Sequence, residues 1–254
     1  FCENGVVNIK GIKYYSLLES SGYGLSAISY LNALLDLECP LYWVPLVSTE
    51  RGYRPWYQSS SGQQQVRKIL QQCLSYDSQI DGLVACLEPI DDYHCVLMHT
   101  VPEYWPFLKE DKQYNVGYTV WETTCLPKNF AELINQIDLV LVPSAFNRPI
   151  FENSGVVIPI DVVPHILNQE PSVTDITLNS MRRLIKVPPK NFLFYCINEW
   201  TVRKDLGLLV HAYLSSFTAA DPVSLVVKTS ARGNPSNQNT GDQDTQLLVA
   251  EIVA

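Results

Sequence analysis

Short apolar runs alternate with stretches whose apolar residues recur at helical spacing along most of the chain. A run of four to eight apolar residues suits a strand buried on both faces, and recurrence at i, i+3, i+4 and i+7 suits a helix laid against it. Parallel strands need crossover segments between them, so the alternation predicts an α/β chain built of βαβ units on a parallel sheet. The first strand is predicted over residues 12–18. A Ser21-Gly22-Tyr23-Gly24 turn follows, and Leu25, Ile28, Leu31, Leu34 and Leu35 mark the first helix. Further strands are predicted over residues 41–47, 82–87, 95–98, 116–120, 139–142 and 156–163. Val66, Ile69, Leu70 and Cys73 mark one helical face, and Phe130, Leu133, Ile134 and Ile137 another. Residues 49–65, rich in Ser, Gln and Gly, read as an exposed loop.

The pattern changes near Pro164. Residues 165–190 carry Pro171, Pro188, Pro189 and a basic Met181-Arg182-Arg183, as an interdomain connection with a short helix near residues 179–185 would. A second βαβ unit then begins. Residues 192–197 and 223–227 read as strands, and Leu206, Leu209, Val210, Tyr213, Leu214 and Phe217 as the helix between them. Residues 232–244 read as a polar loop and the last ten residues as a helix. The expected division is a first domain at residues 1–170, a connection at 171–190 and a partial second domain at 191–254. The length of 254 residues accommodates this. The first residue is not Met and the chain stops inside an apparent helix, so both ends are expected to be trimmed.

Apolar and Cys residues make up 46% and charged residues 17%, a globular rather than a disordered balance. The net charge of −8 argues against a nucleic-acid partner, because phosphate backbones need Lys/Arg patches. It leaves room for a local basic pocket. Seven cysteines lie at irregular intervals without Cys-x-x-Cys spacing, which suits reduced thiols in a cytoplasmic protein better than a zinc site. Neither a spanning apolar stretch nor a signal peptide is recognisable.

Three segments carry a resemblance. The first is Ser21-Gly22-Tyr23-Gly24. The second is Gly117-Tyr118-Thr119-Val120-Trp121-Glu122, continuing through Pro127, Asp138 and Val142-Pro143-Ser144-Ala145-Phe146-Asn147 to Ser154-Gly155-Val156. The third is Phe192-Leu193-Phe194, Trp200-Thr201-Val202-Arg203-Lys204, Ala212-Tyr213 and Leu225-Val226-Val227-Lys228. In order and spacing they resemble the family-4-like glycosyltransferases of GT-B fold (glycosyl transferases group 1). The resemblance implies two facing Rossmann-like domains, acceptor contacts from the first and a nucleotide-diphosphate sugar on the second. It implies retaining transfer to a glycan or lipid-linked acceptor without a cofactor or bound metal, and allows peripheral contact with the inner face of a membrane. The ribose-holding Glu-x7-Glu segment of that family is expected beyond Ala254, which predicts an inactive fragment.

Sugar transfer from such a donor expels a nucleoside diphosphate from an anomeric carbon, so cations and N–H groups must meet the departing charge. Arg203 and Lys204, ahead of an amphipathic helix, and Lys228, ending a strand, are the candidates for that task. The resemblance places Lys204 on the diphosphate. Gly22 and Gly24 permit a tight turn and a close approach to a ligand, although Ala27 breaks any Gly-x-Gly-x-x-Gly pattern. His99 and Glu122, at predicted strand ends, are the candidate catalytic residues, and Asn147 and Trp105 the candidate acceptor contacts. Trp43, Tyr53, Trp56, Tyr104 and Trp121 also offer flat faces for sugar rings. His94, His165 and His211 are less favourably placed. Two departures stand out: Asn198-Glu199 occupies a place where relatives carry an Arg, and Ile166 replaces a turn Gly after Val163-Pro164-His165. A non-catalytic two-lobed sugar- or nucleotide-binding protein and a GT-B nucleotide-sugar epimerase are the alternatives.

Overall fold

The computed structural model describes residues 2–3, 6–7, 10–19, 21–56, 60–74, 77–166, 175–198 and 200–229. The predicted loop at 232–244 and the predicted final helix lie outside them. The chain divides into two compact units, Phe1–Glu170 and Pro171–Ala254.

A two-residue antiparallel pair, β1 (Cys2–Glu3) and β2 (Val6–Val7), precedes the main sheet of the first unit. That sheet comprises β3 (Ile12–Leu17), β4 (Leu41–Thr49), β5 (Gly52–Pro55), β6 (Cys95–His99), β7 (Tyr114–Tyr118), β8 (Leu139–Val142) and β9 (Ile160–Val162). Their order is β5-β4-β3-β6-β7-β8-β9, and only the β4–β5 pairing is antiparallel. The unit is therefore a Rossmann-like α/β layer structure. Successive side chains alternate faces, so Ile12 and Tyr14 of β3 point one way and Tyr15 and Leu17 the other. The first face is covered by α1 (Gly22–Asp36), α2 (Ser60–Cys73) and α3 (Asp77–Ala85), through Ala27, Ile28, Leu31, Val66, Leu70, Ile80 and Leu83. On the second face α4 (Trp105–Leu108), α5 (Phe130–Ile134) and α6 (Asn147–Asn153) bring Trp105, Leu108, Phe130, Ile134, Ile150 and Phe151 onto Leu17, Leu46, Val96, Met98, Val140 and Val142.

The strand expected over residues 156–163 is confined to Ile160–Val162, and two predicted elements differ in kind. Residues 82–87 are not a strand: residues 82–85 finish α3, where Ile80 and Leu83 bury at i, i+3 spacing behind Asp77 in the first turn. The short Leu83-Val84-Ala85 run suits either structure, and tertiary packing decides it. Residues 49–65 are not one loop. Gly52, at φ +93, supplies the left-handed conformation that turns β4 back into β5, and α2 begins at Ser60.

Strand β3 sits between β4 and β6, so the chain leaves it in one direction and returns to its other side. Ligands of open α/β sheets bind at such a reversal, outside the carboxyl ends of the strands. The second unit contains α7 (Asp175–Leu184) and two parallel strands, β10 (Phe192–Ile197) and β11 (Val223–Lys228), connected through α8 (Leu206–Ser216). Phe194 packs against Tyr213 and Phe217 of the α8 side, while Tyr195 and Ile197 stay exposed. Among the described residues no helix is long and apolar enough to cross a membrane.

Candidate functional site

The carboxyl edge of the main sheet of the first unit gathers most of its candidates, because the strands of that sheet, β5 excepted, run the same way. His99 ends β6, Gly22 opens α1 after β3, Glu122 lies in the segment after β7, and Asn147 opens α6 after β8. The head of α1 is set by Ser21, whose side chain accepts from the Gly24 N–H as an N-cap. A Cβ on Gly24 would overlap the Glu19 carbonyl oxygen, whereas one on Gly22 would meet nothing within 4 Å. The two glycines thus serve different ends: Gly24 lets the β3–α1 loop fold back on the helix, and Gly22 leaves the space before it open.

Tyr23, the next residue of α1, fastens that helix head to the segment after β7. Its hydroxyl lies 2.9 Å from the Thr119 Oγ1 and accepts the Val120 N–H at 3.1 Å. Burial, with smaller repulsion from Glu103 and Glu122, pushes the phenol up. Removing the hydroxyl in Tyr23→Phe should cost about 1 kcal/mol and speed amide exchange at Val120 several-fold. Unchanged protection at Val120 would show that the helix head is held by other means.

His99 is fully buried, with its Nδ1 2.8 Å from the Tyr14 hydroxyl. Tyr118, Tyr30 and Tyr23 place their ring centroids 4.3, 5.8 and 5.9 Å from the imidazole. Burial, reinforced by His165, holds its pKa down to about 3. It is thus neutral at physiological pH. Its Nε2, and the neighbouring Thr100 Oγ1, are buried without a hydrogen-bond partner among the described residues. Two unmet polar groups in succession at a strand end call for an explanation that packing alone does not supply.

The same aromatic group reaches the segment that leaves the unit. The Tyr30 hydroxyl lies 3.0 Å from the Val163 carbonyl and 2.6 Å from that of Pro164. Tyr118 is 3.2 Å from the His165 Nδ1, and Ser26 is 2.8 Å from the same atom. His165, disfavoured in the sequence, is therefore joined to the His99 surroundings through Tyr118.

The remaining first-unit candidates are placed differently from one another. Glu122 is exposed. Asn147 is 2% exposed and donates from Nδ2 to the Trp121 carbonyl at 2.6 Å, so it braces the Trp121 segment. Trp105 is wholly buried beneath Gly117, where an added Cβ would lie 2.6 and 2.7 Å from ring atoms. Its ring offers no exposed face to an acceptor, in contrast to the expectation. At the lip of the same edge, Tyr53 of the unpredicted β5 donates to the Glu19 carboxylate at 2.5 Å and stacks edge-on with Tyr104.

In the second unit, Arg203 and Lys204 are exposed in the turn before α8, and Lys228 is exposed at the end of β11. All three belong to the carboxyl edge of the β10–β11 pair. Asp205 follows them in a left-handed conformation, φ +43, and caps α8 by accepting the Leu208 N–H at 3.1 Å. Asn198 donates to the Cys196 Sγ at 3.2 Å. Among the described residues no group of three His, Cys, Asp or Glu is arranged to hold a metal ion. Tyr14, Tyr23, Tyr30, Tyr118, Thr119 and Glu19 were not singled out from the sequence; Tyr23, Tyr118 and Thr119 nevertheless lie inside the segments that carry the resemblance. No protein-family model matches the chain, and no curated protein matches it.

Proposed function

We propose that this chain belongs to a glycosyltransferase that moves a sugar from a nucleotide-diphosphate donor to a glycan or lipid-linked acceptor with retention, using a GT-B arrangement and no metal. The observation that carries the reading is the coincidence of the ordered motifs with the carboxyl ends of parallel strands in both units. Gly22, His99 and Glu122 lie there in the first, and Arg203, Lys204 and Lys228 in the second. Carboxyl ends are where open α/β sheets take their ligands.

Under this reading Lys204, Arg203 and Lys228 meet the departing diphosphate, and charge-assisted hydrogen bonds strengthen as the leaving charge develops. His99 serves as a neutral hydrogen-bonding group: a ring held near pKa 3 is a poor proton shuttle at neutral pH. Glu122, exposed beside the head of α1, meets a sugar hydroxyl. Asn147 acts on the acceptor side through the Trp121 segment it braces.

One observation favours the second reading, a non-catalytic sugar- or nucleotide-binding protein. The Asp205 carboxylate already occupies the head of α8, where it competes with a phosphate for the helix N–H groups. Calorimetry with UDP and GDP tests the diphosphate site. Lys204→Ala should weaken binding about tenfold, the worth of one charge-assisted hydrogen bond. Equal affinity in the variant removes Lys204 from the site.

A further inference from the structure

His99 and Tyr14 form a dyad sealed from solvent between β3, β6 and α1. A neutral imidazole carries one proton on one of two nitrogens, and the hydrogen bond at one nitrogen decides which. If Nδ1 held the proton it would donate to Tyr14. The Tyr14 proton would then be left without an acceptor, and the Nε2 lone pair would be unmet as well. If Nε2 holds the proton, Tyr14 donates to Nδ1 and a single group, the Nε2–H, stays unmet. Each buried unmet group costs about 1–3 kcal/mol, so the second arrangement is favoured.

We propose that Tyr14 is a positioning residue that fixes His99 as its Nε2–H tautomer, leaving one directed N–H donor beneath the carboxyl end of β6. The assignment stands on geometry. The groups facing the imidazole agree with it. Tyr14 from β3, Tyr118 from β7 and Tyr23 and Tyr30 from α1 all have phenol pKa values raised chiefly by burial, so they stay protonated and supply no anion to stabilise an imidazolium. His165, which approaches Tyr118, adds repulsion against a second positive charge.

The test is long-range proton–nitrogen correlation of the imidazole rings in the histidine-labelled 254-residue chain between pH 5 and 8. His99→Gln assigns the signal among the four histidines. The expected wild-type pattern is a protonated Nε2, a bare Nδ1 and no titration in this range. Tyr14→Phe should move the Nδ1 resonance and lower the ratio of Nε2–H to Nδ1–H about fivefold, the worth of one hydrogen bond. A wild-type Nδ1–H overturns the proposal, and so does a Tyr14→Phe spectrum with unchanged nitrogens. If Tyr14→Phe does not fold, the wild-type tautomer and its lack of titration still decide.

Discussion

Gly24→Ala should destabilise the first unit by about 2–3 kcal/mol and lower its unfolding midpoint by about 5–10 °C. The added methyl overlaps the Glu19 carbonyl oxygen and comes within 3.0 Å of its carbon. Both are backbone atoms, so no rotamer change relieves the clash, and either the β3–α1 loop or the helix must move. Alanine's better helix propensity returns about 1 kcal/mol, which the figure already includes. Gly22→Ala is the control. Its Cβ meets open space, so stability should change by no more than about 0.5 kcal/mol. If a ligand approaches the backbone at the head of α1, Gly22→Ala lowers its affinity while the midpoint stays put. Thermal unfolding of the two variants side by side separates these jobs. Equal midpoints would mean that the close approach at Gly24 is not maintained in solution.

The fold was readable where burial and period agree. Residues 12–18, 95–98 and 139–142 stand out because parallel strands covered on both faces become short apolar runs, and α1 and α8 because their apolar stripes are long. Reading failed where one of those conditions lapsed. Helix α3 is short, and its last apolar residues run together, so residues 82–87 resemble a buried strand. The first turns of α2 are rich in Ser and Gln, and β5 is an edge strand of four residues; neither has enough apolar content to declare itself, whereas the later part of α2 was legible at Val66, Ile69, Leu70 and Cys73. What fixes β5 is a non-local pairing with β4 and the turn at Gly52, which a local pattern does not carry.

The site was readable at one level only. Its location follows from topology: once the strands are parallel, residues after them share an edge, and His99, Glu122, Asn147 and Gly22 do so. The partners of those residues are not local. Tyr14 meets His99 across 85 positions, and Tyr23 meets Thr119 across 96. No spacing rule links such pairs. Trp105 shows the opposite failure, since an aromatic near a strand end looks like a sugar platform until Gly117 is found to admit its ring into the core.

The amino edge of the same sheet supplies a second large effect, with no tie to the site. Lys13 of β3 reaches the Glu110 carboxylate at 2.5 Å, and their side chains are only 16% and 27% exposed. The rings of Tyr15, Tyr42 and Tyr93 lie 5.3, 5.5 and 5.6 Å from the ammonium, and the Tyr93 hydroxyl donates to Glu110 at 2.7 Å. Three aromatic faces and a carboxylate around one cation should be worth more than a surface pair. Lys13→Met keeps the length and removes the charge, leaving Glu110 half-buried without its cation. The expected loss is about 2 kcal/mol, below the cost for a fully buried pair because water still reaches both groups. Lys10→Met, which breaks an exposed pair with Asp92, should cost no more than about 0.5 kcal/mol. The pH dependence has a definite sign. Burial lowers the Lys13 pKa, but hydrogen bonds to Glu110 and Tyr15 and attraction to both outweigh it, so the folded value lies above the ordinary 10.5. A raised lysine contributes fully below the unfolded value and loses that contribution as pH climbs from there through the folded one. The stability gap between wild type and Lys13→Met should therefore be constant from about pH 7 to 10 and narrow above about pH 10.5. Denaturant titrations at pH 7, 9 and 11 measure it. A gap that is already closed at pH 9 would show that the caged ammonium is not what holds this edge together.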